Sequence, residues 1–158
     1  MQFDGAEDQA IPVDATVTAT ITTSCGAITA QLDPSVAPET VNSFVFLARQ
    51  GYFDGTAAHR VLPAFVLQAG DPTATGRGGP GYSVPDELPP QGTTYERGVL
   101  AMANAGPGTS GSQFFIMLGT DQILDGEYAV FALVVEGLPV LDHLSAVPLK
   151  RESDRSFT

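Results

Sequence analysis

The chain has 158 residues, 43% of them hydrophobic, which suffices for one globular domain with a sizeable core. Its formal net charge of −11 repels phosphate backbones and anionic lipid surfaces, so nucleic acid and membranes are not expected partners. No apolar run approaches the roughly 18 residues that a membrane span needs. We therefore expect a soluble monomer.

Cysteine and histidine usage argues against metal and redox sites. Cys25 is the single cysteine, so the chain has neither an internal disulfide nor a cysteine zinc site. Two histidines are too few for a convincing metal site, and no cofactor is predicted. The N-terminal residues show no secretory signal, which favours a cytoplasmic location. An extracytoplasmic location after loss of an upstream signal or anchor stays open.

The first half of the chain predicts an arm, a hairpin and a helix. Residues 1–14 are acidic and irregular and are predicted to form an arm. Residues 16–33 alternate β-branched and small residues around Cys25-Gly26, which predicts two strands joined by a tight hairpin. Residues 37–51 predict an amphipathic helix. Its markers are Pro38 in the first turn, the apolar residues Val41, Phe44, Val45 and Ala48, and Gly51 just past the end.

The segment HRVLPAFVLQAGD reads as a buried strand that contains two polar side chains. In a strand, Arg60 and Gln68 lie on the same face among apolar neighbours. Burying an unpaired amide costs about 2–7 kcal/mol, and an unpaired charge costs more, so these side chains are either satisfied internally or line a site. Phe65 has the wrong parity to join them unless the chain bulges or turns at Pro63-Ala64.

The second half predicts a long loop followed by strands. Residues 70–98 are rich in glycine and proline, and a loop of this length is usually functional or disordered. Its GRGGPG run lacks the phosphate-loop pattern, so nucleotide binding is discarded. Three strand-like segments, GVLAMANA, SQFFIML and YAVFALVVEG, precede a short helix in GLPVLDHLSAV. Many strands with few helices predict a mainly β fold, an antiparallel sheet closed or nearly closed into a barrel.

Three stretches occur in an order that carries a family resemblance: HRVLPAFVLQAGDPTATGRGG, GVLAMANAGPGTSGSQFFIML and LDGEYAVFALVVEG. They resemble the cyclophilin family of peptidyl-prolyl cis/trans isomerases, from about Thr16 to Val147. The resemblance implies an eight-stranded antiparallel β-barrel capped by two α-helices, formed by an isomerase domain over residues 15–149. Residues 150–158 are then a tail that holds at most the start of the strand that closes the barrel.

The resemblance also implies the function and the site. The function is rotation about X-Pro bonds in unfolded or flexible polypeptides, which assists protein folding without a metal or cofactor. The implied catalytic residues are Arg60, Gln68 and Phe65, and the implied substrate-binding residues are Val66, Ala103, Asn104, Gln113, Phe115, Ile123, Leu124 and Tyr128. Five positions depart from the usual family residues: Ala58 replaces phenylalanine, Ala64 glycine, Val66 methionine, Ile123 an aromatic residue and Tyr128 histidine.

Two other functions stay open. A proline-peptide binding or chaperone-like module with little turnover needs an apolar slot but has less need of Arg60. A structural domain of a larger assembly is the third class, and it rests only on the acidic arm and the irregular ends of the chain.

Overall fold

A computed structural model describes residues 1–124 and 126–147, and the backbone of 151–152 and 156–157, and this part of the chain contains nine strands and two helices. The elements are β1 Val17–Thr23, β2 Gly26–Leu32, α1 Pro38–Arg49, β3 Arg60–Leu62, β4 Val66–Ala69, β5 Val99–Met102, β6 Phe114–Met117, β7 Val130–Glu136, α2 Leu138–Ala146, β8 Arg151–Glu152 and β9 Ser156–Phe157. Seven strands form one antiparallel sheet in the order β1-β2-β7-β5-β6-β4-β3. Neither described helix is long enough to cross a membrane, since the longer one has 12 residues.

The mainly β fold with two helices is confirmed, and the predicted closed or nearly closed barrel of eight strands is matched roughly, by seven strands in one curled sheet. The sheet curls into a half-barrel whose edge strands are β1 and β3, and no ladder joins these edges in the described part of the chain. Strands β8 and β9 pair with each other in a separate ribbon. They have two residues each, which is too short to bridge the two edges. The predicted tail, residues 150–158, lies largely outside the described residues.

The hairpin between β1 and β2 turns one residue earlier than predicted. Thr23 pairs with Gly26, so the two-residue loop is Ser24-Cys25. The Thr23 hydroxyl donates to the Gly26 carbonyl over 2.7 Å and accepts from the Cys25 amide over 3.1 Å. These local bonds close the loop before the glycine, which then begins β2.

Helix α1 is confirmed, but it is buried on two sides. Val41 and Phe44 face the core that the sheet encloses, as predicted, whereas Ala48 is exposed. Phe46 and Leu47 are buried instead, in a separate cluster on the other side of the helix. The single apolar stripe predicted from the sequence therefore accounts for only one of the two buried sides of α1.

The core lies between α1 and the concave face of the sheet. Phe114 packs edge-on against Phe44, with ring centroids 5.6 Å apart, and it also contacts Phe131 of β7. Phe115, its neighbour on β6, belongs to a different cluster on the opposite face of the sheet. The alternation of side chains along β6 thus separates a structural aromatic residue from one that reaches the outer face.

Candidate active site

The segment that was predicted as one strand is a tight hairpin. Strands β3 and β4 are antiparallel, and the Phe65 amide donates to the Leu62 carbonyl over 3.0 Å across the turn. Ala64 occupies this turn with a φ of 60°. The pairing sets Arg60 directly opposite Gln68, so the two polar residues share one face, as the alternation predicted. The turn also brings Phe65 to the site despite its parity.

A row of hydrogen-bonded polar side chains crosses the outer face of the sheet. Gln68 accepts from Arg60 Nη1 over 3.4 Å, and its own Nε2 donates to Gln113 Oε1 over 3.0 Å. Gln113 Nε2 in turn donates to the Gly78 carbonyl over 2.9 Å. These contacts fix the orientation of both amides. In the described part of the chain they use one of the five guanidinium N–H groups, so the exposed Arg60 keeps donors for a bound group.

An apolar cluster lies beside this polar row. Gln68 pairs across the strands with Phe115, so the row and the cluster are adjacent by register. Phe115 packs edge-on against Tyr128, with ring centroids 5.4 Å apart. The predicted site residues in this cluster are Phe65, Val66, Ala103, Phe115, Leu124 and Tyr128. Most of them are only partly buried, so the cluster exposes apolar surface on the outer face, and we call it the slot.

Asn104 connects two loops at the edge of the slot. Its Nδ2 donates to the Glu127 carbonyl over 3.1 Å, and its Oδ1 accepts from the Gly106 amide over 3.2 Å. The preceding Ala103 amide donates to the Gln113 carbonyl over 2.9 Å. Among the described residues, the backbone amide and carbonyl of Asn104 itself have no partner, so they are available to an extended peptide.

A groove of about 560 Å³ continues from the slot beyond Gln113. Its walls include residues 76–83, 103–105 and 111–113. The fully buried Asp71 carboxylate fixes the segment that leads into the wall formed by residues 76–83. It accepts hydrogen bonds from the Thr73 hydroxyl and from the amides of Thr73, Thr75 and Gly78.

The pKa of Asp71 shows that these hydrogen bonds outweigh burial. Burial alone raises the pKa of this carboxyl, but the donors from Thr73 and Gly78 lower it to about 2. His59 lies nearby and is buried. Burial lowers its pKa, while the Asp71 charge acts in the opposite direction. At neutral pH the loop is therefore built on a charged carboxylate beside a neutral imidazole.

Ile123 is the predicted site residue that belongs neither to the polar row nor to the slot or the groove lining. Its side chain is 86% exposed, in a turn where its amide donates to the Asp121 side chain over 2.6 Å. Sequence reasoning missed Tyr95, which is fully buried and whose hydroxyl donates to the Tyr128 carbonyl over 2.8 Å. No motif marks Tyr95, because its role depends on a bridge to Asp121 that only the folded chain forms.

Comparison with known proteins gives consistent results over most of the chain. The family model for the cyclophilin type peptidyl-prolyl cis-trans isomerase/CLD matches residues 18–157. Peptidyl-prolyl cis-trans isomerase-like 1 of Neurospora crassa is 43% identical over 141 residues, which cover 87% of this chain and 86% of the relative. A cyclophilin type isomerase from Cryptosporidium parvum superposes with a TM-score of 0.81 at 33% identity, covering 90% of this chain and 93% of that one.

The same Cryptosporidium parvum protein has also been solved in the presence of the dipeptide Ala-Pro. That structure superposes with a TM-score of 0.78 at 33% identity and covers 89% of this chain and 94% of that one. The family model spans far more than half of the chain, and the curated relative exceeds 30% identity over most of both chains. The protein is therefore a member of the cyclophilin-type peptidyl-prolyl cis-trans isomerase family.

Proposed function

We propose that the slot, the polar row and the groove form one site that binds proline-containing polypeptides and rotates their X-Pro bonds. The structure of the Cryptosporidium parvum relative in the presence of the dipeptide Ala-Pro supports a proline ligand. Unfolded and flexible chains are the expected substrates, because the slot is open and the groove extends beyond it. The observation that carries the proposal is the hydrogen-bonded row from Arg60 to Gln113 directly beside the apolar cluster.

The chemistry requires neither a nucleophile nor a metal. An X-Pro bond rotates slowly because its conjugation must be broken, against a barrier of about 18–20 kcal/mol. When the amide twists, the lone pair of the prolyl nitrogen becomes available to a hydrogen-bond donor. A donor in that position stabilises the transition state over both planar ground states. Arg60 is the donor, since its guanidinium is exposed and held on one side only by Gln68.

The remaining residues hold the peptide. The proline ring enters the slot formed by Phe65, Phe115 and Leu124, and it covers the partly exposed Phe65 and Leu124. The peptide backbone pairs with the free amide and carbonyl of Asn104. Ile123, although exposed, stands close in sequence to Leu124 and contacts the parts of the peptide that extend beyond the ring.

The energies are of the required size. A rate gain on the order of 10⁵ corresponds to about 7 kcal/mol of barrier lowering. One charged donor in a partly desolvated groove supplies about 3–4 kcal/mol, by analogy with a single oxyanion-hole donor. Fixing the peptide in the slot and excluding water supplies the rest.

The test separates turnover from affinity with one variant. Arg60→Ala is expected to reduce turnover by about a hundredfold while peptide affinity changes much less, because the lone pair that Arg60 addresses is absent in both ground states. Arg60→Lys restores little, since an ammonium lacks the forked geometry that contacts Gln68 and the substrate together. NMR line-shape exchange and titration on one labelled proline peptide give both quantities.

A matched control is Arg97→Ala, which removes the same charge from an exposed arginine paired with Asp142. It should leave exchange and affinity unchanged. If wild-type protein binds the peptide without accelerating exchange, the chain is a binding module. If Arg60→Ala abolishes binding while bound peptide still exchanges fast, Arg60 is an anchor and the mechanism is wrong.

The proposal includes a monomer in the cytoplasm whose partners are proline-containing polypeptides and not nucleic acid or membranes. The free thiol of Cys25 supports a reducing compartment, and the net charge of −11 disfavours phosphate-rich surfaces. Sedimentation at increasing protein concentration tests whether the protein is a monomer. A dimer or larger oligomer that forms below about 100 μM protein contradicts this part of the proposal.

A further inference from the structure

The N-terminal arm, residues 1–14, is docked on helix α1. The Phe3 ring packs edge-on against Phe46, with centroids 5.1 Å apart and an interplanar angle of 76°. It also lies 6.2 Å from the Tyr52 ring. Phe3 thereby completes the small cluster on the side of α1 that faces away from the sheet.

Polar contacts hold the second half of the arm on the same helix. The Gln9 amide donates to Asn42 Oδ1 over 2.7 Å, and Arg49 Nη1 donates to Gln9 Oε1 over 2.8 Å. The Asn42 side chain also donates to the Glu7 carbonyl over 3.2 Å. An acidic, irregular segment therefore has a defined place in the fold, although its sequence has no periodicity.

The arm also touches one wall of the groove, which we call the groove loop, residues 76–83. The Phe3 amide donates to the Pro80 carbonyl over 2.7 Å, and Gln2 Nε2 donates to the Gly79 carbonyl over 2.8 Å. Gly81 has a φ of 103°, and a Cβ there would lie 2.7 Å from the Phe3 carbonyl oxygen. A glycine at this position is what allows the arm to lie against the loop.

The groove loop lies between the arm and the polar row. On its inner side, the Gly78 carbonyl accepts from Gln113, the last member of the row that starts at Arg60. Pro80 packs so closely on Gly111 that a Cβ there would lie 3.1 Å from Pro80 Cδ. The loop backbone that contacts the arm on one side therefore lines the groove and orients Gln113 on the other.

We propose that Phe3 is a positioning residue for substrate binding: it anchors the arm on α1, and the arm holds the groove loop in the form that receives a peptide extending beyond the proline slot. This inference rests on the proposed function, because it assigns the groove to the same substrate. It predicts that the arm sets affinity for long peptides and leaves the rotation step at Arg60 unchanged.

The experiment compares two substrates that differ in reach. Blocked Ala-Pro occupies the slot, whereas a blocked peptide with three alanines on each side of Ala-Pro also occupies the groove. Phe3→Ala is expected to raise the KM and Kd of the long peptide about fivefold, within the range of couplings carried by packed networks, with kcat changed less than about twofold. The short peptide keeps its wild-type constants. Phe3→Leu, which keeps an apolar anchor, retains most of the affinity.

Two further variants make the result specific. Val13→Ala shortens an exposed apolar side chain on the same arm without a contact to the groove loop, and it should change nothing. Gln2→Ala removes one hydrogen bond between the arm and the groove loop at an exposed position. It should weaken binding of the long peptide, as Phe3→Ala does. It remains informative if Phe3→Ala does not fold.

Three outcomes overturn the inference: equal effects of Phe3→Ala on both peptides, a loss of kcat at constant KM, or unchanged constants in Phe3→Ala and Gln2→Ala. Failure of the proposed function has a different signature, because wild-type protein then fails to accelerate exchange of either peptide. The titrations still report Kd in that case, so the arm is tested even for a protein that only binds.

Discussion

At the scale of single residues, Ala64 carries an identifiable backbone strain. It lies in the hairpin turn at a φ of 60°, where a residue with a Cβ costs roughly 1–2 kcal/mol. The resemblance implied glycine at this position, and the turn geometry explains why. The strained residue lies in the turn of the hairpin that sets Arg60 opposite Gln68. The strain is therefore retained in an element that positions two residues of the proposed site.

Ala64→Gly should therefore stabilise the protein by about 0.5–1 kcal/mol. Relief of the left-handed strain exceeds the roughly 0.4–1 kcal/mol by which glycine favours the unfolded chain. Urea unfolding at pH 7 measures the difference. The control is Ala48→Gly at an exposed site of α1, which should destabilise by about 1 kcal/mol. A loss of stability in both variants contradicts the strain.

At the scale of elements, the loop after β4 is organised by Asp71 and not by regular secondary structure. Its carboxylate accepts from Thr73, Thr75 and Gly78, and a Cβ at Gly78 would collide with it. Because Gly78 also bonds Gln113, the same carboxylate supports the polar row. An irregular element thus gains a fixed shape from one buried charge.

Acid should release this loop in a defined pH range. The folded pKa of Asp71 is about 2, below its ordinary value of 3.8, so its contribution is complete above about pH 4 and is lost as the pH falls toward 2. The lost stability is about 2 kcal/mol. Urea unfolding between pH 5 and 2 measures it, with Asp71→Asn as the variant that lacks this pH dependence.

At pH 7, Asp71→Asn should itself cost about 2–3 kcal/mol, because an amide NH₂ replaces an acceptor that faces backbone donors. Asp14→Asn, at an exposed position of the arm, removes the same charge and should change stability by less than about 0.5 kcal/mol. If Asp71→Asn shows the wild-type fall in stability between pH 4 and 2, another group is responsible.

At the scale of the whole molecule, the sheet is a half-barrel with two edges. Strand β1 has a ladder with β2 and with no other strand in the described part of the chain. Its burial alternates between half-buried and exposed residues, without a fully buried position. By contrast, β6 lies between β4 and β5 and is buried throughout. The two ends of the sheet therefore differ from its centre in both hydrogen bonding and packing.

Hydrogen exchange should reveal the β1 edge. In an antiparallel edge strand, alternate amides point away from the partner strand and are open to water. Those amides of β1 should exchange at least about tenfold faster than the amides of β6, with the intervening β1 amides protected. If every β1 amide is as protected as those of β6, another segment covers the edge.

Local patterns in the sequence were enough to predict helix α1 and the shared face of Arg60 and Gln68, but not the hairpin between β3 and β4. Alternation put Arg60 and Gln68 on one face, and proline and glycine marked the ends of α1. These features depend on neighbours within a few residues, since a strand repeats every two residues and a helix every 3.6. The order of three motifs then indicated the cyclophilin family, which the family model confirms.

Only the tertiary structure decided which distant residues meet. The bond from Gln113 to Gly78 joins residues 35 positions apart, and the Phe3 amide bonds the Pro80 carbonyl from the far N-terminal arm. It also decided that Ile123 is exposed. No periodicity encodes such contacts, because they follow from how completed elements pack, and that packing depends on the shape and burial of the whole chain.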